Sequence, residues 1–452
     1  MDSVRATSRK LGLRTEASSR FEKGIDANLC TAAADRVCRL IQALGAGNVV
    51  KGSVDVYPVP EGEHSVRVRP ARVNHILGTE ISESDMAGIF RALEMKVESE
   101  NGVLNVTPPT VRRDLCEEID FVEEAARIYG YDKLPVTIPK GNSEAKKTRE
   151  RVLRDLAKDV MCSLGANEIQ TYSFVSPKSV DDIRLSEDAR ERGFVKIINP
   201  LGEENSVMRT TLTPNMMETL GRNYSRNITR VRAFELGNIF DGNEARQGGL
   251  PDERDSMAIA AYGPGETFFT LKGMVSELLA AFGIRDLRFV PEAARRAYHP
   301  GRCARIFSGG AELGIMGEVH PDVSDKYGVE TRCYCCELEF GKVMESASLE
   351  KLYKPLPKYP PAVRDIALIV DEDVQAGLIL EIIREEGGDI LESAQLFDVY
   401  RGRQIDGGKK SAAFSLTYRA ADRTLTDEDV VRAHNRIVGA LESKLGAALR
   451  DI

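Results

Sequence analysis

Asp114-Leu-Cys-Glu-Glu-Ile-Asp120-Phe-Val-Glu123-Glu124-Ala-Ala-Arg127 gathers acidic side chains at the start of a helical pattern. Asp120, Glu123, Glu124 and Arg127 stand at i, i+3, i+4 and i+7, so a helix stacks them on one side. Acids in the first turn suit the positive end of the helix, and Asp114 lies close enough upstream to fold back over that turn. Two readings remain open on spacing alone. One is an acidic turn that complements the helix dipole. The other is a set of hard oxygen ligands of the kind magnesium takes, with waters or a partner's groups in its remaining positions.

The flanks widen the pattern. Val106-Thr-Pro-Pro-Thr-Val-Arg-Arg-Asp114 leads into the acidic helix, Arg127-Ile-Tyr-Gly-Tyr-Asp-Lys-Leu-Pro135 leaves it, and Arg69-Pro-Ala-Arg-Val-Asn-His-Ile-Leu-Gly78 lies upstream. Together these stretches closely resemble the B5 domain of the bacterial phenylalanyl-tRNA synthetase beta subunit. The resemblance implies a magnesium site near the contact with an alpha subunit, on Asp114, Asp120, Glu123 and Glu124. Because the cluster is not a closed all-protein cage and magnesium tolerates shared ligands, the ion is expected to be held mainly when the alpha subunit is docked.

Composition bounds the alternatives. A chain of 452 residues with 42% hydrophobic residues can build about three globular cores. A net charge of -8 argues against a nonspecific nucleic-acid coat, but leaves room for a local basic groove on RNA. No apolar run approaches the roughly 20 residues of a membrane span, and the amino terminus is charged, so the expectation is a cytoplasmic protein without a membrane role. The eight cysteines form no disulfide framework. Cys333-Tyr-Cys335-Cys336 sits in an alternating strand-like run without zinc-knuckle spacing and reads as buried thiols.

Outward from the acidic segment the chain reads as an α+β multidomain protein. Residues 1–63 begin with Arg9-Lys-Leu-Gly-Leu-Arg-Thr-Glu-Ala-Ser-Ser-Arg-Phe-Glu-Lys-Gly-Ile-Asp26 and continue into a helix over Leu29–Leu44 that stops at Gly45. A helix alone cannot bury its face. This segment resembles the end of the family's B3/B4 editing domain, with Thr15 and Ala17 as the remnant of its Thr-x-Ala pocket pair. The expectation is an amino-terminally truncated subunit without editing activity, lacking the rest of that domain and an OB-type tRNA-binding domain. Pro58, Pro60 and Gly62 mark a linker, and the B5-like unit runs over 64–140. Inside it, Ser82-Glu-Ser-Asp85 starts a helix with an apolar stripe of Met86, Ile89, Phe90 and Leu93.

Residues 144–350 mix a helix over Thr148–Leu164 with strand-like runs at Phe194–Ile198 and Arg232–Phe240. The region resembles the beta subunit's non-catalytic core, which has the class II synthetase fold around an antiparallel sheet. Arg232-x-Phe-Glu235 is similar to the Arg-x-Glu element with which class II enzymes hold ATP, but three residues without a second nucleotide-binding arginine do not make a site. His299-Pro-Gly-Arg302 and Gly317-Glu-Val-His-Pro321 read as tight turns, and no catalytic residue is identified.

Lys354-Pro-Leu-Pro-Lys-Tyr-Pro-Pro361 is an extended linker into a terminal domain at 355–452. The pattern there is βαββαβ, the ferredoxin-like order. Leu396-Phe-Asp-Val-Tyr400 and Lys409-Lys-Ser-Ala-Ala-Phe-Ser-Leu-Thr-Tyr-Arg419 closely resemble the family's anticodon-binding domain. Asp398 and Tyr400 share a strand face, where a carboxylate can accept from a base edge and a ring can stack. Lys409 and Lys410, beside Gly407 and Gly408, can meet phosphates. The resemblance implies that Asp398, Tyr400 and Ser411 contact the first anticodon base.

Over essentially the whole chain these stretches resemble the phenylalanyl-tRNA synthetase beta subunit family. The resemblance implies a role in ATP-dependent attachment of phenylalanine to tRNA(Phe), in an alpha2beta2 heterotetramer whose alpha subunit is expected to carry the active site and bind ATP. Magnesium is the one expected cofactor, and no DNA role is inferred. Two rivals are a free RNA-binding or regulatory module, distinguished by failure to copurify with an alpha subunit, and a self-sufficient ligase, which would bind ATP alone.

Overall fold

A computed structural model describes residues 1–139, 141, 144–243, 249–353, 355–402, 405 and 407–450. Lys140 at the expected domain boundary, Lys354 in the linker and the last two positions of 355–452 lie outside the described residues. Contacts divide the chain into two compact units, 1–144 and 145–452.

In the first unit, a three-stranded antiparallel sheet places Val103–Thr107 between Val66–Val68 and Lys96–Glu100. Helices Pro70–Leu77, Glu83–Ala92 and Glu118–Tyr129 supply the apolar residues that meet it. Met86 and Phe90 of the expected stripe are fully buried, and the Phe90 ring stands edge-on to Phe121 at 5.7 Å. Local chemistry fixes the ends: the Ser82 hydroxyl accepts from Asp85 N at 3.1 Å and opens the second helix. Asn74 closes the Leu77–Ile81 turn by accepting from Ile81 N and donating to Ile81 O, both at 2.8 Å. Upstream, helices Asp2–Leu11, Glu16–Phe21 and Cys30–Ala43 contain no buried residue. Their segment is anchored by Asp26, which accepts from Thr110 Oγ1 at 2.7 Å, and by Arg113, which donates to Ile25 O at 3.0 Å.

Among its described residues the second unit carries two main sheets and a two-stranded antiparallel pair, Phe174–Val175 with Val207–Met208. The larger has seven strands in the order Asn167–Glu168, Val231–Asp241, Asp252–Tyr262, Cys333–Glu339, Ala311–Val319, Tyr298–Ser308 and Leu287–Pro291. Its first pair is parallel and the rest antiparallel. Period-two alternation gives it two faces. Phe234, Met257, Ile259, Cys336 and Leu338 face one core with helices Arg149–Ser163 and Phe268–Ala281. Ala233, Ala258, Ala260, Cys333 and Cys335 face the other with helix Thr213–Tyr224.

The smaller sheet has a core of its own and follows strand, helix, strand, strand, helix, strand: Ala362–Asp371, Ala376–Gly387, Leu391–Tyr400, Lys409–Tyr418, Asp427–Leu445 and Ala448–Leu449. The spatial strand order is 2-3-1-4 with all neighbours antiparallel, which is the ferredoxin-like arrangement.

Three sequence expectations change. Phe194–Ile198 is not a strand: it makes one isolated bridge, Lys196 to Val207, and Ile198 is fully exposed, so its apolar pattern finds no sheet neighbour. His299–Arg302 lies inside the Tyr298–Ser308 strand at a register shift, where His299 Nδ1 accepts from Gly301 N at 3.1 Å. Gly317–Val319 ends a strand, and His320 caps the next helix by accepting from Asp322 N at 3.2 Å, so that histidine is a helix cap instead of a turn residue.

Candidate nucleic-acid interface and acidic cluster

The terminal sheet presents one covered and one open face. Ala412, Phe414, Leu416 and Tyr418 point into the core with the two helices, so Ser411, Ala413, Ser415 and Thr417 take the opposite face. Register pairs Tyr400 with Ser411 and Ser411 with Ile369, then Asp398 with Ala413 and Ala413 with Ala367. Asp398 and Tyr400 therefore share the open face as expected, on the edge strand. A register shift between Leu396 and Asp398 leaves Phe397 as the extra residue, 60% exposed.

Small side chains in the middle rows leave the flanking groups accessible, and Tyr400 is 36% exposed. Ser411 differs from its expectation: it is on the right face but only 3% exposed. The Arg450 guanidinium lies 5.1 Å from the centre of the Tyr400 ring, a cation–π contact reaching across the sheet from the opposite edge. Arg450 carries no motif and was invisible in the sequence. Lys409 is exposed, whereas Lys410 Nζ donates to Glu372 O at 2.7 Å.

The acidic segment behaves differently. Asp114 and Glu124 both meet Arg112: its Nη2 lies 2.6 Å from Asp114 Oδ2 and 3.0 Å from Glu124 Oε1. Arg127 Nη2 adds 2.7 Å to Glu124 Oε2. These guanidinium groups hold the Asp114 and Glu124 carboxyls below the usual carboxylate range, with the Arg112 hydrogen bond as the largest cause, and Arg112 is raised in turn by the same bonds. Asp120 Oδ2 accepts from Cys116 N at 2.8 Å and Glu117 N at 2.7 Å, which is helix capping. Glu123 is exposed while Glu124 is 5% exposed, so the helix turns these neighbours in different directions. Among the described residues no three His, Cys, Asp or Glu side chains form a metal-holding group. As arranged, the four carboxylates do not fit a magnesium ion. The helix-capping reading accounts for Asp120, and Arg112 is the residue sequence reasoning missed, its only signal being the Arg-Arg-Asp run before the helix.

Other candidates are absorbed by structure. Glu235 is buried and pairs with Arg209 at 2.8 Å, while Arg232 pairs with Glu266 at 2.8 Å, so the Arg-x-Glu pair is occupied internally. A cavity of about 250 Å³ in the same domain is lined by Arg295, Glu191, Ser256 and Glu337, among others, but by neither Arg232 nor Glu235. Glu337 there accepts from Thr211 Oγ1, Thr213 Oγ1, Leu212 N and Ser256 Oγ. Thr15 caps helix Glu16–Phe21, its hydroxyl accepting from Ser18 N at 3.0 Å, and Ala17 is an exposed residue of that helix. Burial pushes the Cys333 thiol up to about 11 and Cys303 up to about 12, and alternation sends Cys336 to the opposite face from Cys333 and Cys335.

Four family models match the chain in sequence: the B3/4 domain over 1–46, the tRNA synthetase B5 domain over 66–131, the phenylalanyl tRNA synthetase beta chain CLM domain over 134–340, and the ferredoxin-fold anticodon binding domain over 357–450. A phenylalanine–tRNA ligase beta subunit of Clostridium tetani is 44% identical over 448 residues, 99% of this chain and 56% of that protein. The chain belongs to the phenylalanine–tRNA ligase beta subunit family. The beta subunits of Clostridium acetobutylicum and Moorella thermoacetica are 44% and 40% identical, again over 99% of this chain and 56% and 57% of their own lengths. The chain thus spans about half the length of the curated ligase beta subunits it matches. No helix among the described residues is long and apolar enough to cross a membrane.

Proposed function

We propose that this chain works as a beta subunit of a phenylalanine–tRNA ligase, supporting ATP-dependent attachment of phenylalanine to tRNA(Phe) in the cytoplasm. In this reading an alpha subunit in an alpha2beta2 assembly carries the chemistry and holds ATP, and the terminal domain reads the anticodon. The observation that carries it is the open sheet face of a ferredoxin-fold domain, where Asp398 and an accessible Tyr400 ring lie two residues apart on an edge strand. A ring of this kind stacks any base, and a carboxylate beside it selects by accepting from a base edge. Arg232 and Glu235 are held by Glu266 and Arg209, which supports placing ATP on the partner. In this reading three of the four residues expected to hold magnesium serve the chain's own structure: Asp114 and Glu124 meet Arg112, and Asp120 meets backbone amides.

The test is assembly with an alpha subunit, followed by binding of tRNA(Phe) and of tRNA with a substituted first anticodon base. Phenylalanyl-adenylate formation is expected only with the alpha subunit present, and discrimination between the tRNAs only with Asp398 intact. Adenylate formation by the isolated chain would overturn the division of labour.

A further inference from the structure

We infer that the Arg112 guanidinium is the cation of the acidic cluster in this chain and closes that cluster to a divalent ion. The guanidinium forks twice. Toward Asp114 it places Nε at 3.0 Å from Oδ1 and Nη2 at 2.6 Å from Oδ2, and toward Glu124 it places Nη1 at 3.2 Å from Oε2 and Nη2 at 3.0 Å from Oε1. Two carboxylates from different parts of the chain are thereby bridged by one rigid planar ion, the geometry for which arginine is suited and lysine is not.

Arg127 supplies a second positive charge to Glu124 at 2.7 Å, so two cations face two acids and the group is neutral. The loop presents Arg112 in a fixed way: Pro108 and Pro109 restrict the backbone, and Arg112 N donates to Pro109 O at 2.8 Å. Glu124 is 5% exposed and the Arg112 side chain 27%, so the Glu124 arm of the bridge is shielded from competing water, while the Asp114 side chain, 61% exposed, meets solvent.

A magnesium ion would have to take oxygens from Asp114 and Glu124 while shedding waters it releases reluctantly, and it would leave Arg112 beside a second positive charge. Asp120 Oδ2 is engaged by the amides of Cys116 and Glu117, so that residue offers an ion only its other oxygen.

Manganese is the probe, because it takes the same oxygen ligands and is read by spin resonance. The purified full chain, freed of metal, should show no saturable manganese binding that depends on Glu124, and millimolar magnesium should not raise its melting temperature beyond a salt-matched control. Arg112→Gln should lower the melting temperature by roughly 5 °C or more, on the scale expected when one partner of a shielded ion pair is removed. The same variant should gain manganese binding that a further Glu124→Gln abolishes. If Arg112→Gln does not fold, Arg112→Lys decides: it keeps the charge without the double fork, should melt below the parent and should remain closed to manganese. Saturable manganese binding by the parent that disappears in Glu124→Gln would overturn the inference, as would binding by Arg112→Lys or its absence in a folded Arg112→Gln.

Discussion

The acidic helix Glu118–Tyr129 and the edge strand Leu391–Tyr400 both carry residues singled out by the same family resemblance, yet the fold treats them in opposite ways. In the helix, Glu124 is turned inward and enclosed by Arg112 and Arg127. In the strand, Asp398 is exposed and the Tyr400 ring keeps 36% of its surface open. A polar group already satisfied inside its own chain contributes to stability, whereas one left open is available to a partner. The first region should therefore respond to mutation in folding, and the second in tRNA binding.

The largest effect expected is on the helix side. Glu124→Ala removes a carboxylate that accepts charge-assisted bonds from two arginines, and should destabilise the chain by about 2–3 kcal/mol in denaturant or thermal unfolding. A neutral result would mean that the cluster is surface decoration. The same pair sets an acid limb. Asp114 and Glu124 have depressed folded values, so their stabilisation is fully present above the ordinary carboxylate range and is lost as pH falls through those depressed values. Glu124→Gln should flatten this loss in melting curves taken from neutral to acid pH.

On the strand side, Tyr400→Ala should weaken binding of the assembled enzyme to tRNA by roughly 1–3 kcal/mol, the scale of one base stacked on an aromatic ring, while its melting temperature changes little. A large fall in melting temperature without a binding defect would erase the contrast between the two regions. Asp398→Ala should relax discrimination at one anticodon base by about tenfold, measured with cognate and substituted tRNA side by side. The smallest effect is expected from Lys409→Ala, which should weaken all tRNAs alike and reduce the salt slope by somewhat under one unit. Lys410→Ala is a less clean probe because its ammonium already binds Glu372 O.

Much of the fold was legible because its signals are local. Thr148 and Thr426 cap helices at Arg151 N and Asp429 N, and the second helix of the expected βαββαβ order is found at Asp427–Leu445. Phe194–Ile198 shows the limit: an apolar run becomes a strand only if a neighbour is there to pair with it, and this one has a single bridge. The shared face of Asp398 and Tyr400 was readable because strand alternation has period two, but the burial of Ser411 depends on cross-strand and same-face neighbours.

By itself, the sequence determined the βαββαβ order and the polar and apolar faces, since each follows from spacing within a few residues, while the domain types were read from resemblance to a known family. Only the tertiary structure decided which charges meet. Arg112 bridges Asp114, two residues away, and Glu124, twelve residues away on the following helix, and Arg450 reaches Tyr400 from the opposite edge of a sheet. Such pairings depend on how the chain returns on itself. Electrostatic attraction then selects among the groups that packing has already brought within a few ångströms.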